Sequence, residues 1–220
     1  MPEQAFPQVV WLAPEQNQFG VRVLDCRGFS NEMIALSGDP GVAESFLTLR
    51  RSTGANHRGT SPSNAQRIAY PLAYPLSDEF AAVCDVDDGP VFIAETMEDK
   101  WDLYLYDGWF YFARSWTGNL VFRAGVIFTE DQMNVCPVDM EGSYSDDPEF
   151  ALRVVDFIIK SHLLAMQVPH PLPSGFPDDA TRIAAYSFSH YGRRAAYATY
   201  ADTLPFGFHR RFDPDATRPL

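Results

Sequence analysis

Apolar and polar positions alternate most regularly across Lys100–Phe128, KWDLYLYDGWFYFARSWTGNLVFRAGVIF. Trp101, Leu103 and Leu105 fall on one face of a strand and Asp102, Tyr104 and Tyr106 on the other, so one face is apolar and the other amphipathic. Asp107-Gly108 follows, and both residues tolerate the positive φ that a type I′ hairpin turn demands. The returning segment Trp109–Trp116 sets Trp109, Tyr111, Ala113 and Ser115 against Phe110, Phe112, Arg114 and Trp116, and Thr117-Gly118-Asn119 then turns the chain into Leu120–Phe128. The pattern predicts a three-stranded antiparallel meander whose aromatic residues suit a half-buried pleat.

The rest of the chain is arranged around that meander. Short strands are expected at Gln8–Leu12 and Phe19–Arg27, with a turn through Pro14–Gln18 between them. Asp39 and Pro40 form a helix entrance, and Val42, Ala43, Phe46, Leu47 and Leu49 an apolar stripe behind it. Residues 52–66 are polar and rich in Gly and Ser, which predicts an exposed loop. Arg67–Leu76 is extended but holds two prolines, so it belongs at a sheet edge. Further strands are expected at Phe80–Val86, Pro90–Thr96 and Met133–Val138.

Asp147-Pro148 opens the longest helix, running to about Met166, and its apolar face is broad enough to be covered on two sides. A third helix starts at Asp178 or Asp179 and ends at Tyr191 before Gly192, although Tyr186–His190 also alternates like a strand. Arg193–Tyr200 reads as a last strand, and the proline-containing tail from Thr203 as surface chain. Clustered strands with segregated helices predict an α+β fold, an antiparallel sheet centred on residues 100–128 with helices on one face, in a single domain spanning residues 1–220.

Charge changes the picture more than composition does. The net charge is −12, and residues 67–150 alone hold seventeen acidic against four basic residues. An acidic surface repels phosphate backbones and anionic headgroups, so nucleic acid and membrane are not the expected partners, and a basic protein is. No apolar run approaches the ~20 residues of a membrane span, and Met1–Gln16, without Lys or Arg, matches neither a secretory signal nor a transit peptide. The three cysteines, Cys26, Cys84 and Cys136, are odd in number and widely spaced, which points to reduced thiols in the cytoplasm.

Signatures of nucleotide, dinucleotide, zinc-protease and nucleophile-elbow sites are absent, so no cofactor and no metal is expected. The acidic run Asp85–Gly89 fails calcium-loop spacing and reads as a turn. Ser115 or Ser161 with a histidine and an aspartate would make a hydrolytic triad only if folding brought them together. Among the histidines, His162 suits the carbonyls at its helix end, His170 lies between prolines, His57 lies in the polar loop, and His190 and His209 have no partner in sequence.

Two chemistry-bearing groups stand out. Arg114-Ser115-Trp116-Thr117 at the second meander turn sets a guanidinium near an indole, with Asp102 as the strand acid expected to pair Arg114 if the group is structural. Asp25 and Arg27 form a charged pair at a strand end. The expectation is a cytoplasmic binding protein, a regulator or inhibitor of a basic partner, working through its acidic, aromatic-rich surface. The alternative is a small-molecule enzyme, a hydrolase or transferase, with a pocket around Arg114 and Trp116 completed by Asp25, Asp102 or His162.

Overall fold

The computed structural model describes residues 9–36, 41, 44–46, 57–76 and 88–207. The strand expected at Phe80–Val86, most of the stripe from Val42 to Leu49, Cys84, His209 and the tail beyond Gly207 lie outside these residues.

The meander forms as its alternation requires. Strands β6 (Trp101–Tyr106), β7 (Trp109–Arg114) and β8 (Leu120–Phe128) pair antiparallel in sequence, and Asp107 and Gly108 turn at φ 51° and 73°. They sit within a seven-stranded sheet whose order is β3-β9-β8-β7-β6-β5, with β3 at Gln66–Ile68, β5 at Gly89–Phe92 and β9 at Gln132–Met140. Strand β4 (Leu72–Pro75) continues the β3 edge along β9, so the proline-bearing segment occupies an edge. Trp101, Leu103, Leu105, Phe110, Phe112 and Phe122 turn inward to the main core. Tyr104, Tyr106, Trp109 and Tyr111 lie on the other face, called the outer face below.

Helix α2 (Pro148–Ile158) starts where Asp147 accepts the Phe150 N–H at 3.0 Å, and it continues as a π-turn over Ile159–Leu163. Seven of its apolar side chains, from Phe150 to Ile158, are buried because it crosses the inner face of the large sheet beneath a second layer. The fold is α+β, with a predominantly antiparallel sheet and helices beside it.

That second layer is a four-stranded sheet which the alternation pattern does not reveal. Its order is β1-β2-β11-β10, built from β1 (Val10–Leu12), β2 (Val23–Asp25), β10 (His170–Pro171) and β11 (Tyr197–Thr199), the last two parallel. Three of its strands fall within segments expected as strands, Gln8–Leu12, Phe19–Arg27 and Arg193–Tyr200, but all four are three residues long or less and distant in sequence, so nothing local sets their pairing. The strand expected through Arg27 stops at Asp25, because a helix α1 (Arg27–Leu36) begins there with Asp25 accepting the Arg27 N–H at 3.1 Å. Phe29, Met33 and Ile34 then pack on α3 (Ala180–Tyr191) and the small sheet. Asp179 caps α3 through the Arg182 N–H, and Gly192 closes it at φ 58°. A side chain at Gly192 would meet the Glu98 backbone, so only glycine fits where α3 docks against the loop before β6.

Candidate functional site

Pairing across a two-residue turn decides where Arg114 points. Trp101 faces Arg114 and Asp102 faces Ala113, so Arg114 comes out on the inner face and Asp102 on the outer. The expected Arg114–Asp102 pair therefore does not form. Arg114 instead donates to the carbonyls of His190 (3.0 Å) and Ser189 (2.8 Å) at the negative end of α3, with its guanidinium 4.8 Å from the Trp101 ring centroid. The Trp101 indole N–H donates to the same His190 carbonyl at 2.8 Å. Asp102 is fully buried and accepts the Ala94 N–H at 2.8 Å, holding the loop after β5.

Trp116 lies past the end of β7, 36% exposed, its indole 5.0 Å from the Phe46 ring and its N–H directed at the Met97 carbonyl. Ser115 is buried and donates to the Asp99 carbonyl at 2.6 Å, while the exposed Thr117 accepts the Asn119 N–H. The structure thus brings Arg114, Ser115, Trp116 and Thr117 to one sheet end as fasteners between loops. Asp25 and Arg27 belong to the small sheet, where they pair at 2.6 Å and hold the Asp25 carboxyl below its ordinary range. An open cleft of about 400 Å³ lies beside them, lined by Val10, Gly28 and Asn31 as well.

Among the described residues three serine–histidine contacts exist, and none has the third member of a triad. Ser161 is 2.8 Å from His162 Nδ1, Ser187 is 2.7 Å from His170 Nε2, and Ser189 is 3.2 Å from His190 Nδ1. The other ring nitrogen of both His162 and His170 has no hydrogen-bond partner among the described residues. Burial pushes each of these two imidazoles down to about 3, so both are neutral packing groups. His162, in the π-turn that ends the helix, meets the Ile158 backbone as its position there suggests, and stands edge-on to Phe92 at 4.9 Å.

The opposite end of the large sheet gathers four exposed acids, Asp88, Asp107, Glu130 and Asp131. Asp107 in the β6–β7 turn receives Arg58 through two bonds of 2.7 and 2.8 Å, and Asp88 receives the same guanidinium at 2.7 Å. Beyond them, the β8–β9 turn carries Glu130 and Asp131, both exposed. Ile127 on the outer face of β8 is 66% exposed, and the Tyr106–Trp109 cross-strand pair sits at the neighbouring hairpin tip. Sequence reasoning passed over Arg58 because nothing in the polar loop indicates a strand turn forty-nine residues away as its partner. The usable signal was Asp-Gly at both 88–89 and 107–108, two acidic turns that an antiparallel sheet brings to one end.

Four of the seventeen acidic residues of 67–150 are internal. Glu98, Asp99, Asp102 and Asp139 are all buried; Asp139 bridges Arg67 and Arg123, and Asp99 meets Arg193 at 3.3 Å. Among the described residues, no three metal-binding side chains converge and no helix is long and apolar enough to cross a membrane. No family model, curated protein or solved structure matches this chain.

Proposed function

We propose that the protein is a cytoplasmic binding protein that docks a basic protein partner on the outer face of its large sheet, at the end formed by the β6–β7 and β8–β9 turns. The observation that carries this reading is Ile127, 66% exposed between two acidic turns. An apolar anchor flanked by Tyr106 and Trp109 and rimmed by Asp88, Asp107, Glu130 and Asp131 has the makeup of a protein interface, with aromatic centre and charged rim. The net acidic charge of this end, which Arg58 offsets only in part, favours a cationic surface and disfavours nucleic acid or anionic lipid. Free Cys26 and Cys136 support the reducing compartment.

A small-molecule enzyme centred on Arg114 and Trp116 has less support, because the Arg114 donors are already engaged by the end of α3. The docking reading is tested with a short lysine- and arginine-rich peptide titrated by calorimetry at low and high salt. Binding is expected to weaken with salt, and Glu130→Lys/Asp131→Lys is expected to weaken it by about tenfold, roughly the effect of two rim charges. Unchanged affinity in that variant, or binding indifferent to salt, would count against the site.

A further inference from the structure

We infer that the group recognised on the partner is an arginine side chain, and that the strap His57–Thr60 holds its seat in the free protein; this inference rests on the basic-partner reading above. Each of the four strap residues touches the outer face. The His57 ring lies 6.3 Å from the Tyr104 ring, the Gly59 N–H donates to the Tyr111 hydroxyl at 3.0 Å, and the Thr60 carbonyl accepts from Arg123 at 3.0 Å. Arg58 enters between Asp88 and Asp107 with its guanidinium 5.5 Å from the Tyr106 ring centroid. The strap therefore lies on the face as a peptide bound in cis, with its arginine in the seat.

The seat is shaped for a guanidinium. Asp107 takes Arg58 Nε and Nη2 on its two oxygens, a fork-on-fork geometry that a single ammonium cannot reproduce. One Asp88 oxygen takes the Asp107 N–H at 3.0 Å, which leaves the other free to receive the arginine at 2.7 Å. That bond orients Asp88 toward the turn whichever arginine occupies the seat. The side chains of Arg58, Asp88 and Asp107 are 50, 38 and 58% exposed, so the occupant is held by contacts that a partner can exchange. The strap also satisfies the face incompletely: among the described residues, Arg123 Nε is shielded from solvent and has no hydrogen-bond partner. A partner arginine entering the seat displaces Arg58, and the affinity of the free protein is scaled down by the fraction of time the seat is open.

The test compares oligo-arginine and oligo-lysine peptides of equal length on the full chain and on Arg58→Ala, by calorimetry. Arg58→Ala is expected to bind oligo-arginine about fivefold more tightly, the scale of one surface ion pair. Oligo-lysine is expected to gain much less, and Asp107→Asn added to Arg58→Ala to remove the gain. No gain, or an equal gain for both peptides, overturns the inference. Near-UV circular dichroism checks the fold, and if Arg58→Ala is unfolded, Arg58→Lys must show a smaller gain in the same direction. If Arg58→Ala changes nothing while Glu130→Lys/Asp131→Lys still weakens binding, the strap falls and the docking surface stands. If neither peptide binds the full chain or Arg58→Ala, both fall.

Discussion

Acid is expected to unfold this protein well before its carboxylates are all protonated, through two histidines that fold neutral. Burial lowers His162 and His170 from the ordinary 6.5 to about 3, and the two side chains are 5% and 0% exposed. The unfolded chain takes up these protons below pH 6.5 while the native state does not, so stability is present above that pH and lost as pH falls toward 3. By pH ~4.5 the pair costs about 5 kcal/mol, at about 1.4 kcal/mol per pH unit each. His190, lowered to about 4 by burial and then by Arg114, acts in the same direction.

Asp156 opposes them. Burial raises its carboxyl from 3.8 to about 6 despite Lys160, so the native state gains a proton first and recovers about 3 kcal/mol as pH falls from 6 to 3.8. The histidines outweigh it because there are two and their window extends lower. Urea midpoints between pH 7 and pH 4 are expected to fall steadily. His162→Phe, which fills the site beside Phe92, is expected to flatten that slope by one proton, and an unaltered slope would refute the assignment.

Lys160→Ala is expected to be the most damaging single substitution in α2 and the π-turn that continues it. Lys160 and Asp156 are 1% and 3% exposed and paired at 2.7 Å, with Tyr74 donating to the other Asp156 oxygen at 3.0 Å and the Leu204 carbonyl accepting from Lys160 at 2.9 Å. Removing the ammonium leaves a carboxylate sealed in the core, a loss of about 3–5 kcal/mol, whereas replacing both charges by apolar groups of similar size costs much less. Denaturant melts of Lys160→Ala and of Asp156→Leu/Lys160→Met separate the two cases. The deficit of the single variant is greatest at neutral pH and shrinks in acid, where protonated Asp156 needs no cation. A double variant no more stable than the single one would show that volume, not charge, holds this site.

The legible parts of the fold are those with local causes. The Asp107-Gly108 turn, the Asp147-Pro148 and Asp179 helix entrances and the Gly192 cap each act within a few residues and appear in the sequence as such. The second sheet was not legible, because its pairing of Leu24 with Ala198 depends on the whole intervening chain. Nor was α1, where Arg27-Gly28 at a strand end hides a helix stripe at Phe29, Met33 and Ile34.

Arg114 is an intermediate case. The two-residue turn already sets Arg114 against Trp101 and on the face opposite Asp102, so the pairing with Asp102 could have been rejected from register alone. Its actual partners, carbonyls of α3, could not have been named without the tertiary fold. The Arg58 seat combines both kinds of information. Its carboxylates sit on turns the sequence marks, and its arginine arrives from a loop that carries no pattern at all.

The most direct measurement is an amide and side-chain NMR titration of the full chain with oligo-arginine at low salt. The expected shifts lie at the Ile127 methyls, the Trp109 indole, Gly108 and the Glu130–Asp131 amides, with the Trp116 indole and the Arg114–Thr117 amides unmoved. Shifts confined to Trp116 and its neighbours, or to the Asp25–Arg27 cleft, would contradict a docking surface at the hairpin tips.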